Sequence, residues 1–443
     1  MAQANLSGLS GESNIEVIPG RLDFGQVTAG DCASREERVT VYNTGLVDLC
    51  ITGMNLEGAG CSEFLITNRP VADQDGCIIV TRNSPAEVNL VYEPGNLGAD
   101  QCELVFISDA ADAPELRVPL EGEGVANSNQ VDEFVQTSGQ TVDVLFVIDN
   151  SGSMSEEQEN LSDNFANFIN GAQQFQNDYQ IGVVTTDMDD ASESGRLQGN
   201  PRIMSRSNDV ASQFARAASV GTGGSGTEKG LAAAQAALSD PLIFDTGLAC
   251  SSDNDCVEPD TCIEGFCGGA NRGFLREEAA LEIVFVSDED DFSDANLNFY
   301  VDFFKNIKGF RNESRFHANA IVGADNGQAR SCSGAGGEAN AGSRYVEVAN
   351  RTNGRVYSIC ETNFGGPLQE IGNQAFGLPV QFFLSRPAER SSIRVSVDGS
   401  MQSSGWSYDA ASNSVIFDEG QVPQPGQRVR VEYNAQCFPR RGD

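Results

Sequence analysis

The sequence predicts a multidomain chain in which a central α/β domain with a doubly wound, Rossmann-like sheet lies between two all-β regions. The chain has 443 residues, enough for about three domains that each bury a core. The segments 142–148 and 281–287 are continuously apolar, which is typical of strands buried on both faces of a parallel sheet. Short runs of alternating polarity, separated by turn residues, precede and follow this central region.

The end of the first apolar run carries the most informative motif of the chain. Asp149-Asn150-Ser151-Gly152-Ser153 follows Ile148 directly, so one carboxylate and two hydroxyls lie on a single turn at the carboxyl edge of the predicted sheet. Oxygen ligands of this kind suit a hard divalent cation. The motif therefore predicts part of a metal site.

Two later segments supply further oxygen ligands. Thr227 follows a glycine-rich loop and precedes a predicted helix over 228–238, and Asp288 ends the second apolar run. In this order the three segments resemble the von Willebrand factor A (VWA) domain and its metal-ion-dependent adhesion site. The resemblance extends over about 142–377, and we predict the domain over 141–378.

The resemblance implies a function for these residues. Ser151, Ser153 and Thr227 would coordinate a cation directly, and Asp149 and Asp288 would bind it through water. Mg²⁺ is expected, with Mn²⁺ or Ca²⁺ as alternatives. Two carboxylates would leave the centre close to neutral, but because both would bind only through water, the ion would keep much of its electrophilicity. An open coordination position would then attract an external carboxylate. The alternative is that these Asp and Ser side chains only cap helices and turns.

Composition narrows the class of protein. The formal net charge is −36 and the sequence pI about 4.2, which argues against binding to nucleic acid or anionic membranes. We expect no membrane-spanning segment, because no apolar stretch is long enough. The residues from Met1 to Asn5 lack the pattern of a signal peptide and are expected to begin a mature chain.

Twelve cysteines indicate an oxidising compartment. We expect disulfides Cys250–Cys262 and Cys256–Cys267, although four cysteines allow three pairings, within an insertion over 248–270. Zinc is the alternative, but the spacings lack the close Cys-x2-Cys pairs of zinc ribbons. Cys332 and Cys360 should form another bridge, and Cys437 is expected to pair with the N-terminal region.

The regions on either side of the α/β domain are expected to be all-β. A sandwich is predicted over 15–125, between a flexible N-terminus (1–14) and a linker (126–140). Leu22-Asp23-Phe24-Gly25 and Tyr92-Glu93-Pro94 belong to a pattern that resembles the ASH (hydin-like) immunoglobulin-like domains, which implies a spacer or assembly role. A C-terminal β module is predicted over 379–438, followed by a tail (439–443).

Acidic loops are expected at the carboxyl edge of the predicted sheet. They form a predicted ligand rim around the cation, which favours a guest with an acidic group beside Lys or Arg; the alternative is that acidic loops are only solvated. The rim residues are Asp187, Asp189, Asp190, Glu193, Glu289, Asp290 and Asp291.

Catalysis is not expected. His317 is the only histidine and lies near the start of a predicted strand, 316–322, so it is a poor partner for Ser151 as a nucleophile. The loop 221–226 lacks the Gly-Lys-Ser/Thr ending of a phosphate-binding loop. Oxygen ligands without a general base favour binding over metal-assisted hydrolysis.

Two functions follow from these expectations. The first is a secreted or cell-surface adhesion protein of bacterial type, whose cation binds a carboxylate on a protein or glycan partner. The second is a structural subunit of a surface fibre or extracellular complex, in which the ion only stabilises a loop. Assembly through the β regions fits either function, and neither involves nucleic acid or membrane insertion.

Overall fold

The computed structural model describes residues 13–45, 47–136, 141–175, 177–256, 261–263, 265–309, 313–334, 336–418 and 420–441. Most of the predicted flexible N-terminus, the linker residues 137–140, and the tail residues Gly442 and Asp443 lie outside these ranges. The chain divides into two compact units. One comprises 1–132, 384–394 and 431–443, and the other comprises 133–383 and 395–430.

The first unit contains two antiparallel-rich sheets around one core. Their orders are β1-β3-β7-β5 and β2-β9-β8-β4-β6, and both contribute side chains to the same cluster. Phe24, Phe64 and Tyr92 pack within it, with the Phe64 and Tyr92 ring centroids 4.8 Å apart. The strands are β1 Ile15–Ile18, β2 Leu22–Thr28, β3 Glu37–Asn43, β4 Leu49–Glu57, β5 Phe64–Asn68, β6 Ile78–Val80, β7 Ala86–Tyr92, β8 Gly98–Ser108 and β9 Glu115–Val125.

The segment predicted as a linker contains a strand, β10 Asn129–Val135. Its sequence, Asn-Gln-Val-Asp-Glu-Phe-Val, is polar enough to suggest a linker. However, Asp132 is buried and accepts hydrogen bonds from the Ser385 backbone N–H at 2.8 Å and from the Tyr433 hydroxyl at 2.8 Å. These partners, which are distant in sequence, order the segment.

The second unit contains most of the remaining strands. In chain order they are β11 Val142–Ile148, β12 Tyr179–Thr185, β13 Met204–Ser205, β14 Asp245–Ala249, β15 Thr261–Ile263, β16 Phe266–Gly268, β17 Ala280–Ser287, β18 Phe316–Val322, β19 Ala324–Asp325, β20 Gln328–Ala329, β21 Cys332–Gly334, β22 Gly337–Ala339 and β23 Val356–Ser358. The helices are α1 Ser155–Phe175, α2 Val210–Ala218, α3 Gly230–Ala237, α4 Leu297–Asn306, α5 Ser343–Arg351 and α6 Gly365–Phe376.

A six-stranded sheet of order β13-β12-β11-β17-β18-β23 forms the centre of this unit. All its pairs are parallel except β12 with β13. Every residue of β11 is buried, as its apolar run predicts. The one acid inside that strand, Asp143, is neutralised by the Arg276 side chain, with Nε 2.8 Å from Oδ1.

The helices cover the sheet in two groups. Helix α1 packs against α2 and α6, whereas α3 packs against α4, and α4 against α5. Phe146, Phe165, Phe168 and Phe214 form the aromatic centre of the first group, and the Phe165 and Phe214 rings stack with centroids 3.6 Å apart. The large hydrophobic core therefore forms between one face of the sheet and α1, α2 and α6.

The C-terminal region does not form a compact unit of its own. Its strands are β24 Gln381–Phe383, β25 Arg394–Val397, β26 Ser400–Gln402, β27 Trp406–Asp409, β28 Ser414–Phe417 and β29 Arg428–Asn434. Residues 395–430 group with the second unit, whereas 384–394 and 431–443 group with the first. The module predicted over 379–438 is thus divided, because the Cys32–Cys437 disulfide and the Ala33–Phe438 bridge tie the chain end into the first unit.

The structure forms six disulfides. Four agree with the expected pairs: Cys250–Cys262, Cys256–Cys267, Cys332–Cys360, and Cys437 with an N-terminal cysteine, Cys32. The other two, Cys50–Cys77 and Cys61–Cys102, lie in the first unit. Within the described ranges, no helix is long and apolar enough to cross a membrane.

Helices α1 and α6 approach so closely that one contact requires glycine. A Cβ added at Gly372 would lie 2.4 Å from the Phe168 carbonyl oxygen, whereas one added at Gly366, in the same helix, meets nothing within 4 Å. We expect Gly372→Ala to lower the free energy of unfolding by about 1–3 kcal/mol through overpacking.

Gly366→Ala is the matched control and should be neutral or slightly stabilising, since alanine favours the helix by up to about 1 kcal/mol. Urea denaturation of the three proteins measures the difference. Equal stability of the Gly372→Ala protein and the parent would contradict the packing of these helices.

Candidate functional site

The candidate site lies at the carboxyl edge of the six-stranded sheet, between β11 and β17. Ile148 pairs with Val286, so Asp149 and Ser287 follow on neighbouring strands. The Asp149 N–H donates to the Val286 carbonyl at 2.9 Å, and the Ser287 hydroxyl donates to Asp149 Oδ2 at 2.6 Å. Numbered along the chain, the six strands lie in the order 3-2-1-4-5-6. Strand order reverses here, and open α/β sheets bind ligands at such a point.

The turn after β11 is rigidly held. Asp149 is fully buried, and its Oδ1 accepts the Ser151 N–H at 2.8 Å. The hydroxyl oxygens of Ser151 and Ser153 lie 3.3 Å apart. The Gln158 side-chain amide donates to the carbonyls of Asp149 at 2.9 Å and Gly221 at 2.8 Å, which ties the turn to the glycine-rich loop. The two predicted hydroxyl ligands are therefore adjacent.

Asp288 joins this turn. It is only 5% exposed, its Oδ1 has no hydrogen-bond partner, and its carboxylate is hydrogen-bonded by the Ser153 hydroxyl. Burial raises the pKa of Asp288, and the charges of Asp149 and Glu289 raise it further, while the bond from Ser153 opposes them. A buried carboxylate oxygen without a partner is a position where a cation would be favourable.

The cationic side chains of the surrounding loops are engaged with other acids. Lys229 lies 3.7 Å from Asp294, and the Arg344 Nε lies 3.0 Å from Asp291. Neither ion pair includes Asp149 or Asp288.

The glycine-rich loop provides the third segment. The Gly224 N–H donates to the Asn150 carbonyl at 2.9 Å, and a Cβ at Gly224 would lie 2.3 Å from the Asn150 Oδ1. This close approach explains the glycine. Thr227 lies in the same loop with an exposed side chain, and its N–H donates to the Ser225 hydroxyl at 3.2 Å. Its role as a direct ligand stays a prediction.

Helix α3 begins at Gly230, later than the predicted start at Glu228. The reason is that the two preceding residues turn toward β12. The Glu228 carboxylate accepts a short hydrogen bond from the Thr186 hydroxyl, and the Lys229 N–H donates to the Thr186 carbonyl at 3.1 Å.

Glu228 is a site residue that the sequence analysis missed. It is fully buried, and its Oε1 has no hydrogen-bond partner. Burial raises its pKa, and the neighbouring charge of Asp149 raises it further, although the bond from Thr186 opposes the shift. The expectation of a nearly neutral centre counted only Asp149 and Asp288, so it omitted this acid. The only sequence signal is its position directly after Thr227.

Glu157, in the first turn of α1, is a second buried acid that the sequence analysis missed. It is 3% exposed, and its Oε2 has no hydrogen-bond partner. Burial raises its pKa, with the charges of Asp288 and Asp149 among the smaller causes. A Cβ at Gly337 would lie 2.2 Å from the Glu157 Oε1, so the β21–β22 hairpin covers this acid.

The donor set fits a hard divalent cation. It combines the carboxylates of Asp149 and Asp288 with two adjacent hydroxyls, all oxygen atoms. In the part of the chain that the structure describes, Cys250, Cys256 and Cys267 are the only three His, Cys, Asp or Glu residues whose ligand atoms lie within 4.8 Å of one another. All three cysteines are in disulfides, so they offer no thiolate to zinc. A cation centre at the sheet edge would therefore depend on the hydroxyls as well as the acids.

The acids predicted as a ligand rim differ in their surroundings. Asp187 is buried, and its Oδ1 accepts the N–H groups of Asp189 at 2.7 Å and Asp190 at 3.1 Å, while Oδ2 accepts that of Ser225 at 2.8 Å. It therefore shapes the loop and is not an exposed rim residue. Asp190 is exposed, and hydrogen bonds from Ser192 lower its pKa.

The acids after β17 also have structural partners. Asp290 Oδ1 accepts the N–H groups of Asp291 and Arg344, each at 2.9 Å. Asp291 is buried and paired with Arg344. Glu289 is half-buried, and Glu193 accepts a hydrogen bond from the Asn150 side chain at 2.7 Å. Of the predicted rim acids, only Asp189 and Asp190 are therefore exposed.

The single histidine lies far along the sheet from the candidate site. His317 pairs with Glu282 near the start of β18, whereas Ser151 follows the end of β11. Its Nδ1 lies 2.8 Å from the Glu282 Oε1. Burial alone would lower the pKa of His317, but the hydrogen bond to Glu282 and its charge raise it overall. Ser151 and His317 do not form a nucleophile–base pair.

Comparisons with known proteins give weak similarities. No family model and no curated protein matches the chain. A von Willebrand factor type A structure from Catenulispora acidiphila is 10% identical, covers 97% of this chain and 66% of its own, and has a TM-score of 0.32. Mussel byssus proximal thread matrix protein 1 is 11% identical, with coverage of 58% and 52% and a TM-score of 0.32. The ASH/PapD-like domain of human CEP192 is 15% identical, with coverage of 26% and 87% and a TM-score of 0.19. These TM-scores are too low to assign a family or a function.

The environment of Asp288 predicts a cation-dependent stability. Without a cation, Asp288→Asn should leave the protein as stable or make it more stable, because it removes a buried charge beside Asp149. With Mg²⁺ at about a hundred times its dissociation constant, the parent should gain about 2.7 kcal/mol, and the variant should gain much less.

Thermal melting in EDTA and in Mg²⁺ measures both effects. Asp294→Asn is the control, since Asp294 is an exposed acid in the loop after β17. An Asp294→Asn protein that loses the Mg²⁺ response as fully as Asp288→Asn would argue against a specific site.

The raised pKa of His317 predicts that the stability of the protein depends on pH, independently of the candidate site. A folded-state pKa above the unfolded value of about 6.5 gives stability that is fully present below that pH. This stability is lost as the pH rises through the folded-state pKa. Urea denaturation of the parent and His317→Gln should therefore show a stability difference that shrinks from acidic to alkaline pH. A difference that grows with pH would contradict the Glu282–His317 pairing.

Proposed function

We propose that this chain is an extracellular binding protein that uses a divalent cation, Mg²⁺ first among candidates, to bind a carboxylate on a protein or glycan partner. The observation that supports this most is the meeting of Asp149, Ser151, Ser153 and Asp288 at the switch point of the sheet. The Asp288 oxygen without a partner adds to it.

The proposed roles follow from the chemistry of each group. A bound cation would supply an electrophile with a coordination position for a guest's carboxylate oxygen. The neutral hydroxyls of Ser151 and Ser153, with Thr227, would hold the cation without cancelling its charge. Asp149 is oriented by Ser287 and by the Ser151 N–H. Asp288, buried beside them, would balance part of the charge.

The arrangement of the second unit supports a VWA-type, doubly wound domain as the carrier of this site. Its strand order is 3-2-1-4-5-6, and its helices pack in two groups. The two sheets around one core in the first unit are consistent with an ASH-like sandwich. In this proposal the sandwich serves as a spacer or an assembly element.

An extracellular or cell-surface location is proposed from the disulfides. All twelve cysteines are paired, and such bonds persist in oxidising compartments. A net charge of −36 gives a strongly acidic surface, which disfavours nucleic acid and anionic lipid as partners.

Binding without catalysis is the proposal for this site. The candidate nucleophile, Ser151, lies against Ser153 and has no histidine beside it, since His317 is engaged by Glu282. A hydrolase of the serine type requires such a base within hydrogen-bond reach of the hydroxyl.

A structural role for the cation is the second candidate. Glu228 adds a third buried acid beside Asp149, and more negative charge would bind the ion more tightly while weakening its attraction for an anionic guest. The ion would then fix the glycine-rich loop against the turn after β11 within a fibre or complex.

Selection of phage-displayed random peptides separates the two candidates. In Mg²⁺ the parent should select peptides with Asp or Glu, and EDTA should elute them while circular dichroism stays unchanged. A protein carrying Ser151→Ala and Ser153→Ala should select no such peptides. Ser192→Ala is the control, because Ser192 is an exposed serine that contacts Asp190.

The structural candidate predicts another result. Mg²⁺ would raise the melting temperature, but the selected peptides would show no preference for acids and would not be eluted by EDTA. That result would contradict carboxylate binding while preserving the cation site.

A further inference from the structure

Phe292 is an exposed aromatic residue next to the candidate site. It follows Asp288 by four residues, in the loop between β17 and α4, and its side chain is 52% exposed. Single exposed hydrophobic residues are common on protein surfaces and need no function. The surroundings of this one make it different.

The residues on both sides of Phe292 are anchored inside the protein. Asp291 and Ser293 are each 3% exposed. Asp291 Oδ1 accepts the Leu231 N–H at 3.0 Å, and Ser293 Oγ accepts the Ala232 N–H at 2.9 Å. The loop is therefore held against the first turn of α3.

Two further contacts complete the clamp. Ser293 Oγ donates to Asp291 Oδ1 at 2.7 Å, and the Arg344 side chain of α5 pairs with Asp291 at 3.0 Å. Burying a phenylalanine is favourable, yet these contacts keep the ring at the surface. A residue whose backbone is fixed before binding loses less conformational entropy when a partner covers its side chain.

Phe292 is connected to the cation site through its backbone. Its N–H donates to the Glu228 carbonyl at 2.6 Å, and the Glu228 carboxylate lies beside Asp149. Phe292, Glu228 and Asp288 all lie at the carboxyl edge of the sheet. A guest that reaches the cation would therefore approach this ring.

Charge around the site disfavours a guest that presents only acidic groups. Asp189 and Asp294 are exposed by 64% and 69%, and both flank Lys229. A guest with only acidic groups would be repelled by these carboxylates. An apolar contact is insensitive to that repulsion, and aromatic residues commonly dominate protein interfaces.

We propose that Phe292 is an apolar specificity contact of the cation site, so that the preferred guest is a protein segment with an apolar side chain next to its acidic residue. This inference rests on the proposed function. It commits the partner to protein rather than glycan, because the ring selects for an apolar neighbour of the carboxylate.

The experiment uses two libraries of short phage-displayed peptides, one with a fixed central Asp and one with a fixed central Asn. The full chain is compared with Phe292→Ser in Mg²⁺. Phe244→Ser is the matched control, since Phe244 is a comparably exposed phenylalanine, 47%, outside the site. Calorimetric titration with Mg²⁺ alone checks that each variant keeps its cation.

The expected result is that the parent and Phe244→Ser select apolar residues next to Asp from the first library. Phe292→Ser should bind those peptides about tenfold more weakly or worse, lose the apolar preference, and keep its Mg²⁺ affinity. The inference is overturned if the parent selects Asp-containing peptides without an apolar preference, or if Phe292→Ser binds and selects peptides as the parent does. Either result leaves the proposed function standing. Equal binding of a carboxylated glycan by parent and Phe292→Ser, with no peptide selected, also overturns it. If Mg²⁺ does not bind, or if peptides are selected from the Asn library as well as from the Asp library, the proposed function itself fails.

Discussion

The parallel pairing of β11 with β17 is the constraint on which the candidate site depends. Its register sets Ile148 beside Val286, so the segments that follow the two strands leave the sheet side by side. Every residue of the two strands except Ala280 is buried, and shifting one strand by a single residue would turn its side chains to the opposite face. The cost of repacking both buried faces therefore fixes where Asp149 and Asp288 emerge. Local bonds from Ser287 and Gln158 then set the detail of the turn.

Burial gives the site its electrostatic character. Four acids at the site are each at most 5% exposed: Asp149, Asp288, Glu228 and Glu157. All but Asp149 have a carboxylate oxygen without a hydrogen-bond partner. The pKa values of Asp288, Glu228 and Glu157 are raised, first by burial and then by neighbouring charges, including that of Asp149. The protein thus keeps acids where each disfavours the charge of the others, and a cation would relieve that repulsion.

Much of the architecture could be predicted from local patterns. The apolar run 142–148 coincides with β11, and the alternating runs of the first unit fall within its strands. The two disulfides of the insertion agree with the expected pairs, although the sequence alone allowed three pairings there. The strand at 129–135 and the divided C-terminal region could not be predicted in this way. These segments are held in place by residues more than two hundred positions away in the sequence. Ser385 donates a hydrogen bond to Asp132, and Cys32 forms a disulfide with Cys437.

The sequence likewise allowed some residues of the candidate site to be predicted, but not others. Asp149, Ser151, Ser153 and Asp288 could be placed together, because strand ends in a parallel sheet share an edge. Burial of Glu228 and Glu157, and the structural use of Asp187 and Asp290, depend on loop packing that no short motif encodes. Anomalous diffraction from crystals grown with Mn²⁺ would show whether a cation binds at this edge of the sheet. We expect one strong peak bonded to the hydroxyls of Ser151 and Ser153, next to Asp149 and Asp288. Ordered Mn²⁺ elsewhere with none at these hydroxyls, or a lysine or arginine side chain occupying the position, would contradict this expectation.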